Sequence, residues 1–452
     1  MFVRKIKTKS GTYLAEVETF RDGGKVRQRT VNYIGRIIDG KPVRLTRTNE
    51  IRAAGVRRYL DVKVVDKLAE DLSLKGTIPS KALIFVYSQL IDRPSINKLE
   101  VWLKTTEILN MLKIESISTQ ELYDTLTDLN EIDFESVENN IVKALSKYEA
   151  KNNPVIIDVT DTYFQGKKVE GIPRKGKEGR NKKLLQIVLA VTEGFGFPLF
   201  YKTYPGNISN LKIFEDIAKD LWKNNYSFVI MDRGMGSSNN IDMMLHLKFK
   251  VICGLRKNKK LIPEFLSKIN REEIFSKANM VQLKNTKVYF KSFDYKKGKL
   301  LAIYNPSLEI LKRENYYETN DNEDIARYLG YSFIYHNTDM DDADAIRKYF
   351  DKDIVERAFK QMKGILNLRP VRVWMRSHIE AHVKICYMAY AILSLLSYKT
   401  RKMGLSGSEA LEKLRSGYKV YLEDQKSGFK WNTVVTLENA QKDILKRCSV
   451  KT

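Results

Sequence analysis

Three acidic residues in this sequence stand at positions suited to binding metal ions. Asp158 directly follows the apolar run 155–157 and Asp232 follows the apolar run 228–231, so we expect each at the end of a strand. Ligands of open α/β sheets bind beyond the carboxyl ends of the strands. Glu356, on a predicted helix, is the third acid. Three such carboxylates and only four histidines favour a hard cation such as Mg²⁺, which prefers oxygen ligands.

Glu356 lies in a segment, residues 349–363, that has helical periodicity. At about 100° per residue, Tyr349, Lys352, Glu356 and Lys363 share one stripe of this helix, and an apolar arc covers the opposite side. The arc consists of Ile354, Val355, Ala358, Phe359 and Met362. Taken alone, the pattern also fits a surface helix with ion pairs between residues four apart. The two aspartates favour the other interpretation, in which Glu356 shares their metal site.

Phosphoryl transfer is the chemistry that suits carboxylates surrounded by cations. Two Mg²⁺ ions about 4 Å apart can activate the attacking oxygen and stabilise the leaving oxygen of an in-line displacement, while cations hold the phosphate backbone. His378 and His382 are four apart and resemble a zinc pair, but no suitable third ligand is nearby, so we expect them to be partly buried helix residues. No serine or cysteine has a nucleophile-elbow setting.

The composition favours a globular protein with a polyanionic partner. The chain has 452 residues, of which 43% are hydrophobic, and 79 Lys and Arg against 55 Asp and Glu give a net charge of +24. Nucleic acid is the first candidate for the partner. A basic ribosomal or membrane-surface protein shares this charge, but isolated acids at strand ends disfavour both.

The cysteines, the start of the chain and the longest apolar run favour a reducing compartment and no membrane span. Three widely separated cysteines support neither a disulfide framework nor a zinc ribbon. No signal peptide is apparent at the start of the chain. The apolar run 385–398 is too short to span a membrane comfortably and favours a buried helix.

The periodicity along the chain predicts an α/β protein with a mixed sheet. The Asp-Gly-Gly turn signal near residue 22 predicts a β-hairpin, and the loop 164–183 is rich in glycine and basic residues. We expect a small β-rich module in 1–60, an α-helical region and candidate for DNA-end binding in 61–150, the α/β unit in 151–257 and 331–400, a β-rich insertion in 258–330, and a polar tail region in 401–452.

Several motifs, taken in order, resemble one known family. The spacing of Tyr349, Lys352, Glu356 and Lys363 is similar to the Y-x2-R-x3-E-x6-K signature of DDE transposases from bacterial insertion sequences, of the insertion sequence 4 type. This chain has lysine where the pattern usually has arginine, which keeps the charge but loses the planar fork. DVT at 158–160, PGN at 205–207 and MDRG at 231–234 also resemble segments of that family, and the resemblance covers most of the chain.

The resemblance implies an RNase H-like catalytic core with a β-rich insertion before the last acidic helix. It implies two Mg²⁺ or Mn²⁺ ions per active site, bound by Asp158, Asp232 and Glu356. It also implies hydrolysis of a phosphodiester at the element end, followed by attack of the 3′-hydroxyl on target DNA. Asp161 is the alternative first acid, but an offset of three along a strand places it on the opposite face, and the DVT match favours Asp158.

The implied partners are double-stranded DNA carrying the terminal inverted repeats, and target DNA. Tyr349, Lys352 and Lys363 would contact DNA near the cleaved end. Position and charge add Arg233, Arg357 and Lys360 to these candidate DNA contacts. We expect a dimer on DNA in the bacterial cytoplasm, associated with the nucleoid and not with a membrane. The alternatives are a related nuclease that does not join DNA and a catalytically inactive DNA-binding relic.

Overall fold

A computed structural model describes residues 1–38, 41–44, 48–149, 153–163, 174–177, 180–255, 261–317, 329–366, 375–426 and 428–451. The basic loop at 164–173 and the segment 367–374 lie outside the described residues. The described chain forms three sheets, of which the largest has ten strands.

The first segment forms a four-stranded antiparallel sheet. Its strands are β1 (Phe2–Thr8), β2 (Gly11–Asp22), β3 (Lys25–Ile38) and β4 (Lys41–Arg44). Asp22 pairs with Lys25 across the turn between β2 and β3, so the hairpin predicted at this position is confirmed. Gly23 and Gly24 both have positive φ, as a two-residue hairpin turn requires.

A helical region follows. After β5 (Ile51–Arg58) come α1 (Leu60–Asp71), α2 (Ser80–Ile91), α3 (Ile96–Leu103), α4 (Ile108–Leu112), α5 (Thr119–Asp128) and α6 (Phe134–Leu145). A capping box is present at the start of α5, where Ser118 and Glu121 satisfy each other's backbone N–H groups.

The α/β unit supplies the central strands of the ten-stranded sheet. Its elements are β6 (Val155–Tyr163), β7 (Arg174–Lys177), β8 (Arg180–Thr192), β9 (Pro198–Pro205), α7 (Asn210–Lys223), β10 (Phe228–Met231), α8 (Ser238–His246) and β11 (Lys250–Gly254). β10 is parallel to both β6 and β11, whereas β8 is antiparallel to β6 and to β9.

The segment 258–330 adds strands to this same sheet. It contains α9 (Leu261–Leu266), α10 (Arg271–Ile274), β12 (Met280–Gln282), β13 (Lys287–Tyr295), β14 (Gly298–Tyr304) and α11 (Pro306–Tyr317). The next strand, β15 (Tyr331–His336), pairs with β14 on one side and β11 on the other. The predicted α/β class with a large mixed sheet and a β-rich segment is therefore confirmed, while the division into domains stays a prediction.

The chain closes with helices and a small sheet. They are α12 (Asp342–Phe350), α13 (Asp353–Lys360), a π-helical turn (Gln361–Ile365), α14 (Arg376–Thr400), α15 (Gly407–Leu414), β16 (Tyr418–Asp424), β17 (Lys430–Val434) and α16 (Asn439–Arg447). The segment expected as a polar tail is thus folded, because β16 pairs with β5 from the beginning of the chain.

Two hydrophobic cores cover the two faces of the large sheet. Ile156 packs with the helical region and α14, whereas Val155 and Ile157 pack with α7 and α8. Burial on both faces explains why these strands are continuous apolar runs in the sequence. α14 is long and apolar enough to cross a membrane by composition, but 83% of its apolar window is buried inside the protein, so it is the core helix expected for 385–398.

A buried carboxyl joins the helical region to the sheet. Glu138 on α6 accepts a hydrogen bond from the backbone N–H of Tyr201 on β9, at 3.1 Å. The pKa of Glu138 is raised to about 7, mainly by burial and also by the nearby charges of Glu135 and Asp220, while the hydrogen bond from Tyr201 and the charge of Lys202 oppose the shift. Because this pKa is higher in the folded state, ionisation of Glu138 disfavours the fold as the pH rises through this range.

Glu138→Gln should therefore stabilise the protein above pH 7 and have little effect near pH 4.5. The expected gain is on the order of 2 kcal/mol, since one pKa unit corresponds to about 1.4 kcal/mol and the carboxyl keeps some contact with solvent. Urea denaturation at several pH values measures it, with Glu131→Gln, at an exposed position, as the control. An equal effect of Glu138→Gln at all pH values would contradict this account.

Candidate active site

Asp158 and Asp232 lie on neighbouring parallel strands. Asp232 directly follows β10, as predicted, but Asp158 is the fourth residue of the nine in β6 and not at its end. β10 has only four residues, so its pairing with β6 stops at Ile157 opposite Met231. Beyond that pair, β6 continues along β8 alone. Asp158 therefore faces the gap left by β10, beside Asp232.

The segment 349–363 is not the single helix that its periodicity predicts. α12 ends at Phe350, a turn occupies residues 351–352, and α13 begins at Asp353. Tyr349 is consequently buried on one helix while Glu356 is exposed on the next. The turn breaks the predicted stripe, but the side chains of the stripe still lie near the acids, because Tyr349 and Lys352 both contact Asp232.

The Lys352 ammonium lies between two of the acids. It forms an ion pair with Asp232 and lies 3.9 Å from Glu356 Oε1. Burial works to raise the pKa of Asp232, but the hydrogen bond and positive charge of Lys352, with Arg233 adding to them, hold that pKa below its usual value. Lys352 thus keeps Asp232 ionised and screens it from its acidic neighbours.

Asp158 is held in a less polar environment than Asp232. The pKa of Asp158 is raised to about 6, mainly by burial and also by the negative charges of Asp232 and Glu356, while the hydrogen bond from the Val159 N–H and the charge of Lys352 oppose the shift. The three carboxylates therefore interact electrostatically. A cation placed among them would offset both the cost of burying the ionised Asp158 and the repulsion between the acids.

Tyr349 is positioned by a close approach to the sheet. Its hydroxyl donates a hydrogen bond of 3.4 Å to Asp232 Oδ1, and the Lys352 ammonium lies 5.1 Å from its ring centroid. A Cβ atom at Gly254, on β11, would overlap the Tyr349 hydroxyl. Glycine at this position is therefore what lets the tyrosine pack against the strand beside Asp232.

A cavity of about 510 Å³ opens beside the acids. It is lined by Asp158, Thr160, Glu356, Phe359, Lys360, Lys363 and Gly364. Two of the predicted DNA-contacting cations, Lys360 and Lys363, thus share one opening with two of the predicted metal ligands. Arg357 is not among the lining residues and pairs with Asp353 at 3.4 Å. Arg233 is also absent from this lining, although it acts electrostatically on Asp232.

The donor set suits a hard divalent cation. In the part of the chain that the structure describes, no three His, Cys, Asp or Glu side chains lie close enough together to hold an ion as placed. The three acids nevertheless offer carboxylate oxygens of the kind that Mg²⁺ and Mn²⁺ prefer. Their mutual repulsion is partly neutralised by the Lys352 ammonium, which shows that positive charge is favourable at this position.

The other residues considered from the sequence lie elsewhere. Asp161 lies on β6, opposite Gln186 of β8. It is three residues beyond Asp158 and therefore on the other face of the strand. His378 is buried on α14, with its ring stacked 5.9 Å from that of Tyr123, and His382 is partly buried one turn later.

Three structural supports of the site were not identified from the sequence. Thr160 lines the cavity with Asp158, which the two-residue period of a strand could have indicated. Lys348 forms an ion pair with Glu193 at 2.7 Å and ties α12 to the end of β8. That pair and the contact of Gly254 with Tyr349 join residues far apart in the chain, so no local pattern signals them.

Gly254→Ala should destabilise the fold by about 1–3 kcal/mol, because the added methyl group overpacks the site against Tyr349. In a Tyr349→Phe background the same substitution should cost less, since the overlapping hydroxyl is gone. Urea denaturation of the four proteins of this double-mutant cycle measures the coupling. Gly364→Ala, where a Cβ meets nothing within 4 Å, is the control. Additive effects of the Gly254 and Tyr349 substitutions would contradict the proposed contact.

Comparison with known proteins gives one matching family and several remote structural likenesses, which include two transposases. The piggyBac transposase, in a synaptic complex with hairpin DNA, has a TM-score of 0.45 and 13% identity over 79% of this chain and 76% of that one. The Mos1 transposase, in a paired-end complex with the left transposon end, has a TM-score of 0.16 and 15% identity over 35% of this chain and 54% of that one. No curated protein matches the chain.

These structural similarities are too low to assign a family, so the family assignment rests on the sequence match to a family model. Residues 149–392 match the model of the family described as the transposase DDE domain. The matched region is more than half of the 452 residues and contains all three acids, Lys352 and the cavity. The chain therefore belongs to the DDE-domain transposases.

Proposed function

We propose that this protein is a DNA transposase that binds the ends of its element, cleaves phosphodiester bonds there and joins the 3′-hydroxyl ends to target DNA. The main support for this proposal is that carboxylates and lysines line the same cavity. Asp158 and Glu356 line the same cavity as Lys360 and Lys363, and the Lys352 ammonium lies between Asp232 and Glu356.

In this proposal Asp158, Asp232 and Glu356 hold two Mg²⁺ or Mn²⁺ ions. When bound, such ions would activate the attacking oxygen and stabilise the leaving oxygen of the phosphodiester. The role of the protein is to keep the carboxylates ionised and close together. β6 and β10 fix the two aspartates on neighbouring strands, and α13 brings Glu356 to them.

Lys352 has two tasks in this proposal. Without DNA, its ammonium neutralises Asp232 and lies near Glu356, which limits repulsion between the acids. With DNA and metal ions present, the flexible side chain of Lys352 would turn to a phosphate next to the cleaved bond. Lysine suits such a change of partner because its ammonium is a point charge on a flexible stem, unlike the rigid fork of arginine.

The remaining cations and Tyr349 would hold the DNA. Lys360 and Lys363 lie at the cavity and are placed to contact phosphates, and Tyr349 would orient Lys352 and Asp232 through its hydroxyl and ring. We propose outer phosphate contacts for Arg233 and Arg357, which lie outside the cavity lining. The net charge of +24 supports association with DNA over a wider surface.

The partners in this proposal are the element's terminal inverted repeats and target DNA. The piggyBac and Mos1 structures are complexes with hairpin DNA and with a transposon end, respectively. We extend DNA binding to this chain on the basis of its charge and its family. A dimer on DNA, the insertion sequence 4 type and the bacterial cytoplasm stay predictions from the resemblance.

Asp158→Asn, Asp232→Asn and Glu356→Gln should each lower Mg²⁺-dependent cleavage of a labelled element end by at least about 10³-fold, because each removes a charged metal ligand. DNA binding measured in EDTA should change little. Asp161→Asn is the matched control, since it neutralises an acid on the same strand but on the opposite face, and it should retain activity.

The labelled products separate this function from its alternatives. Cleaved ends joined to target DNA support a transposase, whereas cleaved ends alone indicate a nuclease and binding without cleavage indicates an inactive relic. Full cleavage by any one of the three acid variants would remove that residue from the site.

A further inference from the structure

The turn between β8 and β9, residues 193–197, is held against the rest of the protein by its own backbone. The Glu193 N–H donates a hydrogen bond of 3.0 Å to the carbonyl of Pro154, directly before β6. The Phe195 N–H donates one of 2.5 Å to Glu149 Oε1. The β8–β9 turn is therefore fixed beside the start of β6 and supports the elements that pack on it.

Three helices contact this turn. The Lys348 ammonium on α12 donates hydrogen bonds of 2.7 Å to both carboxylate oxygens of Glu193. Gly196 has a φ of +70°, and a Cβ atom there would lie 3.1 Å from Ile354 Cγ1 on α13. The Tyr390 hydroxyl on α14 donates a hydrogen bond of 2.7 Å to the Gly196 carbonyl. The β8–β9 turn thus joins α12 and α13 to each other and to the core helix α14.

The contacts with α12 and α13 fall on both sides of the turn that carries Lys352. Lys348 precedes that turn and Ile354 follows it. Because a short connection can move only as far as its two ends allow, contacts on both sides restrain it. They therefore help to set where the Lys352 ammonium lies relative to Asp232 and Glu356.

The Glu193–Lys348 ion pair is better shielded from solvent than its neighbour on α12. The side chains of Glu193 and Lys348 are 15% and 34% exposed, whereas those of Arg347 and Asp344 are 48% and 59% exposed. Solvent weakens exposed ion pairs. The pair of Arg347 with Asp344 also joins two residues of one helix, so it cannot fix that helix to the sheet. The Glu193–Lys348 pair does join α12 to the β8–β9 turn.

We propose that Glu193 is a positioning residue for the cleavage reaction. Glu193 is not among the residues that line the cavity beside the acids, so it acts through Lys348. The pair holds the end of α12 against the β8–β9 turn and thereby keeps the Lys352 ammonium between Asp232 and Glu356. This inference rests on the proposed function, because it assigns Glu193 a role in the same site.

The rate of cleavage tests this role in the full-length chain. Glu193→Gln and Lys348→Gln should each lower the single-turnover rate at saturating DNA and Mg²⁺ by about 10-fold, since a misplacement of about 1 Å in an active site can cost up to about 100-fold. Lys348→Arg should restore most of the rate, because a guanidinium can donate two hydrogen bonds to one carboxylate. Asp344→Asn is the matched control and should change the rate less than about twofold, because its ion pair is exposed.

A double-mutant cycle with Lys352 separates positioning from a general loss of structure. In a Lys352→Gln background, Glu193→Gln should lower the rate less than about twofold, because the group that it positions is already absent. Equal losses in the two backgrounds would show that Glu193 does not act through Lys352 and would overturn the proposal. An unchanged rate for Glu193→Gln in the wild-type background would do the same.

Hydrogen–deuterium exchange without DNA or metal ions gives a readout that does not depend on cleavage. Peptides within residues 349–356 should exchange at least about fivefold faster in Glu193→Gln than in the wild-type chain, because their backbone opens more often. Asp344→Asn should exchange there at the wild-type rate. Unchanged exchange in Glu193→Gln, or equal acceleration throughout the chain, would overturn the proposal. A wild-type chain that cleaves no DNA would contradict the proposed function, while the exchange rates would still decide whether Glu193 positions this segment.

Discussion

Electrostatic repulsion among three carboxylates is the constraint on which the rest of the site depends. Asp158, Asp232 and Glu356 come from two strands and a helix, and in the folded chain the negative charges of Asp232 and Glu356 act on Asp158. Such a cluster is unfavourable unless positive charge is supplied. The Lys352 ammonium supplies part of it, and divalent cations would supply the rest. The local architecture serves to hold these groups in place against their repulsion.

The sheet provides the rigidity that this arrangement needs. β6 is paired with β8 along its whole length and with β10 only up to Ile157, so Asp158 sits on a fixed strand with an open side. Hydrophobic cores cover both faces of the sheet, and α14 is buried against one of them. Tyr349 packs against Gly254 and restrains the turn that carries Lys352. Small changes in this packing would move the charged groups relative to one another.

The sequence predicts the helices and strands better than it predicts where these elements end and which of them pair. Apolar runs and turn signals identify the α/β unit, the hairpin near residue 22 and the position of Asp232, because these depend on local patterns. The apolar run alone predicts Asp158 at a strand end, but the length of β6 depends on its pairing with β8, which the run itself does not indicate. The helix over 349–363 was predicted as continuous because its periodicity persists through residues 351–352, where tertiary contacts of Tyr349 and Lys352 favour a turn. The pairing of β16 with β5 is likewise a long-range event.

Anomalous diffraction from crystals of the full-length protein soaked in Mn²⁺ would show whether the three acids bind metal ions. We expect Mn²⁺ bound by Asp158 and Asp232, with Glu356 turned towards it and the Lys352 ammonium displaced from Asp232. Mn²⁺ found only at other acidic residues, or an unchanged pair between Lys352 and Asp232 at saturating Mn²⁺, would contradict this expectation.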